Sequence, residues 1–168
     1  MTRTRYMRKG ELVVRIGEIQ NELYFMETGI ARGYFLDIDG KEVTDCLYFQ
    51  CGTTVVSFGQ LECNDPSPLT IEILEDGNFF CVPTTDIVRL KNQYPEAMEL
   101  YNRMLVAALD VQWKLKRVLS SCTAVQRYQW FLEEYPGLIN RVSNRHVASF
   151  LGMTPVTLSR LRRSLREE

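Results

Sequence analysis

A chain of 168 residues that is 45% hydrophobic and 24% charged can bury a real core, in one domain or two small ones. No apolar run approaches the roughly 18 to 20 residues that a bilayer span needs, and the opening MTRTRYMRKG has charges but no apolar stretch behind it, so neither a membrane span nor a signal peptide is expected and the cytosol is the expected compartment. The net charge of −1 conceals an asymmetry: from Thr123 onward seven arginines stand against Glu133, Glu134, Glu167 and Glu168, a balance of +3 that leaves −4 for the remainder. Such a split fits a nucleic-acid-binding module joined to a neutral or acidic domain.

From Gly10 to about Pro83 the sequence predicts many short strands. Glu11–Ile16, Leu23–Glu27, Ala31–Asp37, Val43–Phe49, Leu69–Leu74 and Phe79–Val82 are rich in β-branched and aromatic residues, punctuated by Gly10, Gly17, Gly29, Gly40, Gly52 and Gly77. Short strands at regular turns imply a sandwich, barrel or jelly roll. Asp39-Gly40 is the clearest hairpin signal, because that dipeptide favours the two-residue turn. The five cysteines (Cys46, Cys51, Cys63, Cys81 and Cys122) are odd in number, form no CxxC and have one histidine to assist them, so they read as buried free thiols and no metal or other cofactor is expected.

Beyond Pro83 the period changes. Asp86–Gln93 reads as a short helix capped by Thr85, and Tyr94-Pro95 interrupts it, with Pro95 opening a longer helix. Along that helix Ala97, Tyr101, Met104, Ala108, Val111, Leu115 and Val118 recur four and three residues apart, the spacing of a coiled-coil seam that pairs with a second copy of the chain. Met98, Leu105 and Leu109 lie beside the seam and are expected to hold the helix to its own β-domain. Ser120-Ser121 reads as a cap or hinge, and TAVQRYQWFLEEYP as a further helix offering Tyr128, Phe131, Leu132 and Tyr135 as core.

The last stretch, SNRHVASFLGMTPVTLSRLRRSLR, carries a helix-turn-helix pattern. Ser143 caps a first helix that buries Val147, Phe150 and Leu151, and Gly152 supplies the left-handed position of a sharp stop. Thr154 caps a second helix, Pro155 occupies its first turn, and Leu158, Leu161 and Leu165 face inward. Val156, Thr157, Ser159, Arg160, Arg162 and Arg163 face outward, a combination of hydroxyls, a methyl-bearing side chain and arginines that suits the major groove.

The fold class expected is α+β: an antiparallel β-roll over residues 1–93, a dimerisation helix and hinge over 94–121, and a helix-turn-helix domain over 122–168. This order of parts resembles the Crp/Fnr family of bacterial transcription regulators. The resemblance is carried by GELVVRIGE, LYFMETGIARGYFLDIDGKEV and IEILEDGNFFCVP in the roll, then by RYQWFLEEYP and RHVASFLGMTPVTLSRLRR. It implies a homodimer gripping a near-palindromic operator, its two recognition helices in successive major grooves about 34 Å apart, with RNA polymerase as a further candidate partner. Residue by residue, the family's base-reading positions fall on Pro155, Val156 and Arg160, with Thr154 and Thr157 near the backbone. Ser143, Arg145, Arg162 and Arg163 are assigned to phosphates, which set register without reading sequence.

Three departures qualify what the resemblance implies. No β-wing is expected after the second helix, and the helix that often precedes the roll in the family is not expected in this sequence. The cassette that holds a cyclic nucleotide's ribose and phosphate in the family reads SFGQLECNDPSPLTIEI here: Gly59-Gln60 stands at the Gly-Glu position, and the arginine position falls on Ser67 or Leu69. No lysine or arginine occurs between Lys41 and Arg89, so cyclic AMP is not expected in the usual manner. An effector, where there is one, is expected to be neutral or apolar, near Phe58, Gly59, Gln60, Ser67, Leu69 and Thr70. The family's iron–sulfur alternative needs clustered N-terminal cysteines that this chain lacks. An enzyme of the metal-dependent β-roll type needs two or three histidines where only His146 occurs, so no enzyme is expected. The competing reading is a dimeric ligand-binding module acting through protein partners, against which the six arginines after Gly137 argue.

Overall fold

Alternation of apolar and polar residues along short strands builds the first part of the molecule. A computed structural model describes residues 3–55 and 65–165. It divides into two compact units, Met1–Tyr101 and Asn102–Glu168. In the first, strands β1 (Arg3–Met7), β2 (Leu12–Val14), β3 (Glu22–Met26), β4 (Ile30–Leu36), β5 (Glu42–Tyr48), β6 (Thr54–Val55), β7 (Thr70–Glu75) and β8 (Gly77–Pro83) form two four-stranded antiparallel sheets. Their orders are β1-β8-β3-β6 and β2-β7-β4-β5. Met7, Tyr24, Met26, Phe79 and Cys81 from one sheet meet Val14, Cys46, Tyr48, Ile71 and Ile73 from the other, with Leu69 just before β7, in one buried core, which closes the roll. The fold class is α+β, as expected.

Two local expectations are corrected. The Asp39-Gly40 turn is not a two-residue hairpin: Leu36 still pairs with Glu42, so five residues connect β4 to β5. The Asp37 carboxylate organises them, accepting from the backbone N–H groups of Asp39 and Lys41, each at 2.9 Å. Gly77 is not a turn glycine but opens β8, where a Cβ would run into the Thr28 carbonyl, so only glycine lets the two backbones approach.

On β4, Arg32 lies directly across from Glu72 of β7. Its side chain is 3% exposed and donates to Glu42 at 2.6 Å and to Glu72 at 2.8 and 3.0 Å, while the guanidinium sits 4.2 Å from the Tyr34 ring centre. This cation thus ties three strands together.

Helix α1 (Thr84–Gln93) begins two residues before the expected start, with Pro83 at the cap and no side-chain cap bond, so Thr85 is helical rather than capping. Its Lys91 is buried beneath Tyr101, with the ammonium 3.6 Å from the ring centre, and burial lowers the amine's pKa.

Helix α2 (Pro95–Ser121) opens at the expected proline. Its heptad residues do not form one exposed seam. Leu115 and Val118 are buried within the chain, Ala97, Tyr101, Met104 and Ala108 are half-buried, and Val111 is exposed. The large apolar residues open to solvent lie on adjoining faces: Val106 at 66%, Leu109 at 62% and Trp113 at 63%, with Leu105 at 37%. Leu105 and Leu109, expected as anchors, are therefore exposed. Ser120 and Ser121 are still helical, their hydroxyls donating back to the carbonyls of Lys116 and Arg117.

In the second unit, helix α3 (Ala124–Glu134) starts with a capping box in which Thr123 and Gln126 satisfy each other's backbone N–H. A 3-10 turn (Leu138–Asn140) leads to α4 (Asn144–Phe150) and α5 (Pro155–Ser164). Phe131 and Tyr135 stack with ring centres 5.1 Å apart, Phe150 meets both edge-on at 6.0 and 5.3 Å, and Leu138, Val147, Leu151 and Leu158 are fully buried around them. Leu132, by contrast, is 39% exposed and not core.

Candidate nucleic-acid interface

The helical hairpin fixes its two N-termini by side-chain caps. The Ser143 hydroxyl accepts from the His146 N–H, and the Thr154 hydroxyl accepts from the Thr157 N–H at 3.1 Å while lying 2.9 Å from the Thr157 hydroxyl. Between the helices Gly152 takes φ +61°, the left-handed geometry that a side chain would strain. Pro155 at the first turn forfeits only an N–H that has no helical acceptor. Residues adjacent in the chain thus shape the turn into α5.

Leu158 anchors α5 in the core, and Leu161 and Leu165 are half-buried beside it. The opposite face is open: Pro155, Val156, Ser159, Arg160, Arg163 and Ser164 line a shallow depression of about 540 Å³. Val156 is 60% exposed, and among the described residues neither Arg160 nor Arg163 has an ion-pair partner. Two guanidinium groups with no ion-pair partner among the described residues thus flank one methyl-bearing side chain on this face.

The other expected backbone contacts divide. Arg145 is exposed on α4, and Thr157 is half-buried. Arg162 does not face outward as expected: it is half-buried and its guanidinium donates to Asn144 at 2.5 Å and to Asn140 at 3.5 Å. It cross-braces α5 to the start of α4 and to the end of the 3-10 turn through two asparagines that the spacing of apolar residues could not single out. The Ser143 and Thr154 hydroxyls are engaged in their caps.

In the roll, Phe58, Gly59 and Gln60 lie outside the described residues. Ser67, Leu69 and Thr70 are buried; the Ser67 hydroxyl donates to the Leu69 carbonyl at 2.6 Å, and the Thr70 hydroxyl accepts from the Ile16 N–H. These polar groups are satisfied by the roll's own backbone. A cyclic nucleotide's phosphate does not fit the described residues of this stretch, because Ser67, Leu69 and Thr70 carry no charge and Arg32 is already held by two carboxylates. Of the thiols, Cys46 and Cys81 are buried, Cys122 is half-buried and Cys51 is exposed, with Cys63 outside the described residues. Burial pushes the Cys46 thiol up to about 12, so it stays protonated and unreactive. Among the described residues no group of side chains could hold a metal ion, and no helix is long and apolar enough to cross a membrane.

The model of the cyclic nucleotide-binding domain matches residues 4–94, more than half of the chain. The chain belongs to the cyclic nucleotide-binding domain family. Membership concerns the roll. No curated protein matches the chain. Solved structures match over nearly its whole length: FixK2 of Bradyrhizobium japonicum is 20% identical with a TM-score of 0.88, covering 99% of this chain and 85% of that one. The cyclic-di-GMP-responsive global regulator CLP of Xanthomonas campestris is 15% identical with a TM-score of 0.77, covering 99% and 87%. TTHB099, a CRP-family transcriptional regulator of Thermus thermophilus, is 20% identical with a TM-score of 0.74, covering 97% and 84%. Roll, long helix and terminal hairpin thus follow one another in the fold of Crp/Fnr-type regulators.

Proposed function

We propose that the chain is a sequence-specific DNA-binding transcription regulator of Crp/Fnr type, which grips a near-palindromic operator as a homodimer and answers to an effector other than cyclic AMP or to none. The observation that carries this is the outward face of α5, where Arg160 and Arg163 have no ion-pair partner among the described residues and flank the exposed Val156. Arg160 reads guanine, and Val156 with Pro155 offers the apolar contact that thymine's methyl group accepts. Arg163 and Arg145 meet phosphates, with Thr157 near the backbone, while Arg162, Ser143 and Thr154 hold the hairpin in register. The second copy joins along the exposed apolar face of α2 around Leu105, Leu109 and Trp113, because Leu115 and Val118 of the heptad stripe are already covered in the single chain. Domain limits at residues 93 and 121 belong to the same reading.

The test is selection of bound sequences from random duplex, followed by titration of the recovered site against a shuffled one at several salt concentrations. An inverted repeat is expected, with affinity falling steeply as salt rises. A protein that recovers no common sequence and ignores duplex DNA at low salt would sink the proposal.

A further inference from the structure

Arg127 of α3 takes no part in the interface described above, yet it is placed where the end of α2 and the hairpin turn meet. Its Nε donates to the Cys122 carbonyl at 3.2 Å, one residue beyond the end of α2. Its Nη1 donates to the carbonyls of Leu151 and Gly152, at 2.8 and 3.1 Å. Those carbonyls close α4, where the last turn of a helix leaves C=O groups with no helical donor. Two helix C-termini, each carrying partial negative charge, therefore converge on one cation. Among the described residues Arg127 has no carboxylate partner, so the carbonyls are what hold it.

Gly152 completes the arrangement. A Cβ there would lie 3.1 Å from the Arg127 guanidinium and 3.5 Å from the Leu119 side chain on the last turn of α2. The bare turn thus lets cation, helix end and apolar side chain close on the same point. A planar guanidinium reaches three carbonyls in two directions at once; an ammonium on a flexible stem does not.

We infer that Arg127 is a positioning residue which locks the hairpin turn, and with it the direction of α5, to the end of α2. A rotation of α2's last turn would then be carried to the reading helix through this cation rather than through the α3–α4 packing alone. The binding half of this inference rests on the proposed DNA reading; the structural half does not.

The experiment uses the full chain with Arg127→Gln and Arg127→Lys, and two measurements. Titration of the selected inverted repeat against a shuffled duplex of equal length should show discrimination falling on the order of tenfold in the glutamine variant, the scale of coupling carried by contacting networks. The salt slope should stay unchanged, since losing a phosphate contact would reduce it by about 1. The lysine variant should fall between. Equal weakening on both duplexes with a reduced slope would make Arg127 a phosphate contact and overturn the inference. In parallel, amide hydrogen exchange should show residues 119–123 and 151–154 losing protection together while 145–148 keep theirs. Loss in one segment alone would also overturn it. If the glutamine variant does not fold, the lysine variant decides by the same two readouts. If the wild type discriminates no duplex, the DNA reading fails, and the exchange measurement still decides whether the lock exists.

Discussion

Arg32 and Arg160 are both arginines on regular elements, and their surroundings separate the two units of the molecule. In the roll, Arg32 is buried and clasped by Glu42 and Glu72, so its charge is consumed in joining strands. On α5, Arg160 stands in an open depression with no carboxylate partner among the described residues. A charge already neutralised by its own chain serves the fold, whereas one left open offers itself to something outside. The net charge of the whole chain, −1, hides that difference.

The largest effect is expected at Arg32. Arg32→Ala leaves two carboxylates facing each other in a half-buried site and should cost about 3 to 5 kcal/mol, the usual price of breaking a buried pair. Chemical denaturation checks this, and replacing Arg32 and Glu72 together by Met and Leu should recover most of the loss. Leu109→Asp puts a charge into the proposed two-fold contact and should weaken association by about 2 to 4 kcal/mol, as for an interface anchor; light scattering would read the mass, and an unchanged dimer would move the contact elsewhere. Arg160→Ala should leave folding intact and cost about 1 to 3 kcal/mol of discrimination at a single base pair, while Arg163→Ala weakens all duplexes alike and lowers the salt slope by about 1. Identical profiles for the two variants would erase the distinction between reader and phosphate contact.

The smallest effect expected is at Asp76. Its carboxylate accepts from the Lys9 N–H at 2.7 Å and from the Tyr6 hydroxyl at 2.9 Å, and those bonds hold its pKa below the usual carboxylate range. A depressed acid contributes stability that is present above the unfolded value of about 3.9 and lost as the pH falls through the lower folded value. Thermal melts of the wild type and Asp76→Asn should therefore differ slightly at neutral pH and converge in acid.

The strand-to-helix change at Pro83, the helix opened by Pro95 and the caps at Ser143 and Thr154 were all legible in the sequence, because each rests on residues adjacent in the chain. What escaped depends on contacts across it. β1 carries no signal in the sequence because Arg3, Thr4, Arg5 and Tyr6 are exposed on both faces, so no alternation marks the strand. Helix α2 carries two apolar stripes, and spacing alone cannot say which one its own chain covers. Arg162 matches its neighbours in type, and only the positions of Asn140 and Asn144, brought close by the fold, divert it from solvent. In the candidate interface the exposed face was therefore legible as a set of residues, but not the division of labour within it.

Among the described strands β1 lies at the rim of its sheet, with one side of its backbone left unpaired. Such a rim is a template on which a strand from another molecule can grow, and natural proteins blunt it with charge. Arg3, bound to Glu22 yet 63% exposed, and Arg5, paired with Glu11 at 3.8 Å yet 43% exposed, set charged side chains along this rim. An approaching copy in the same register would bring its own charged side chains against them. The strand that gives its sheet a last row of hydrogen bonds thus also carries, in its charged side chains, an obstacle to growth by strand addition at this rim.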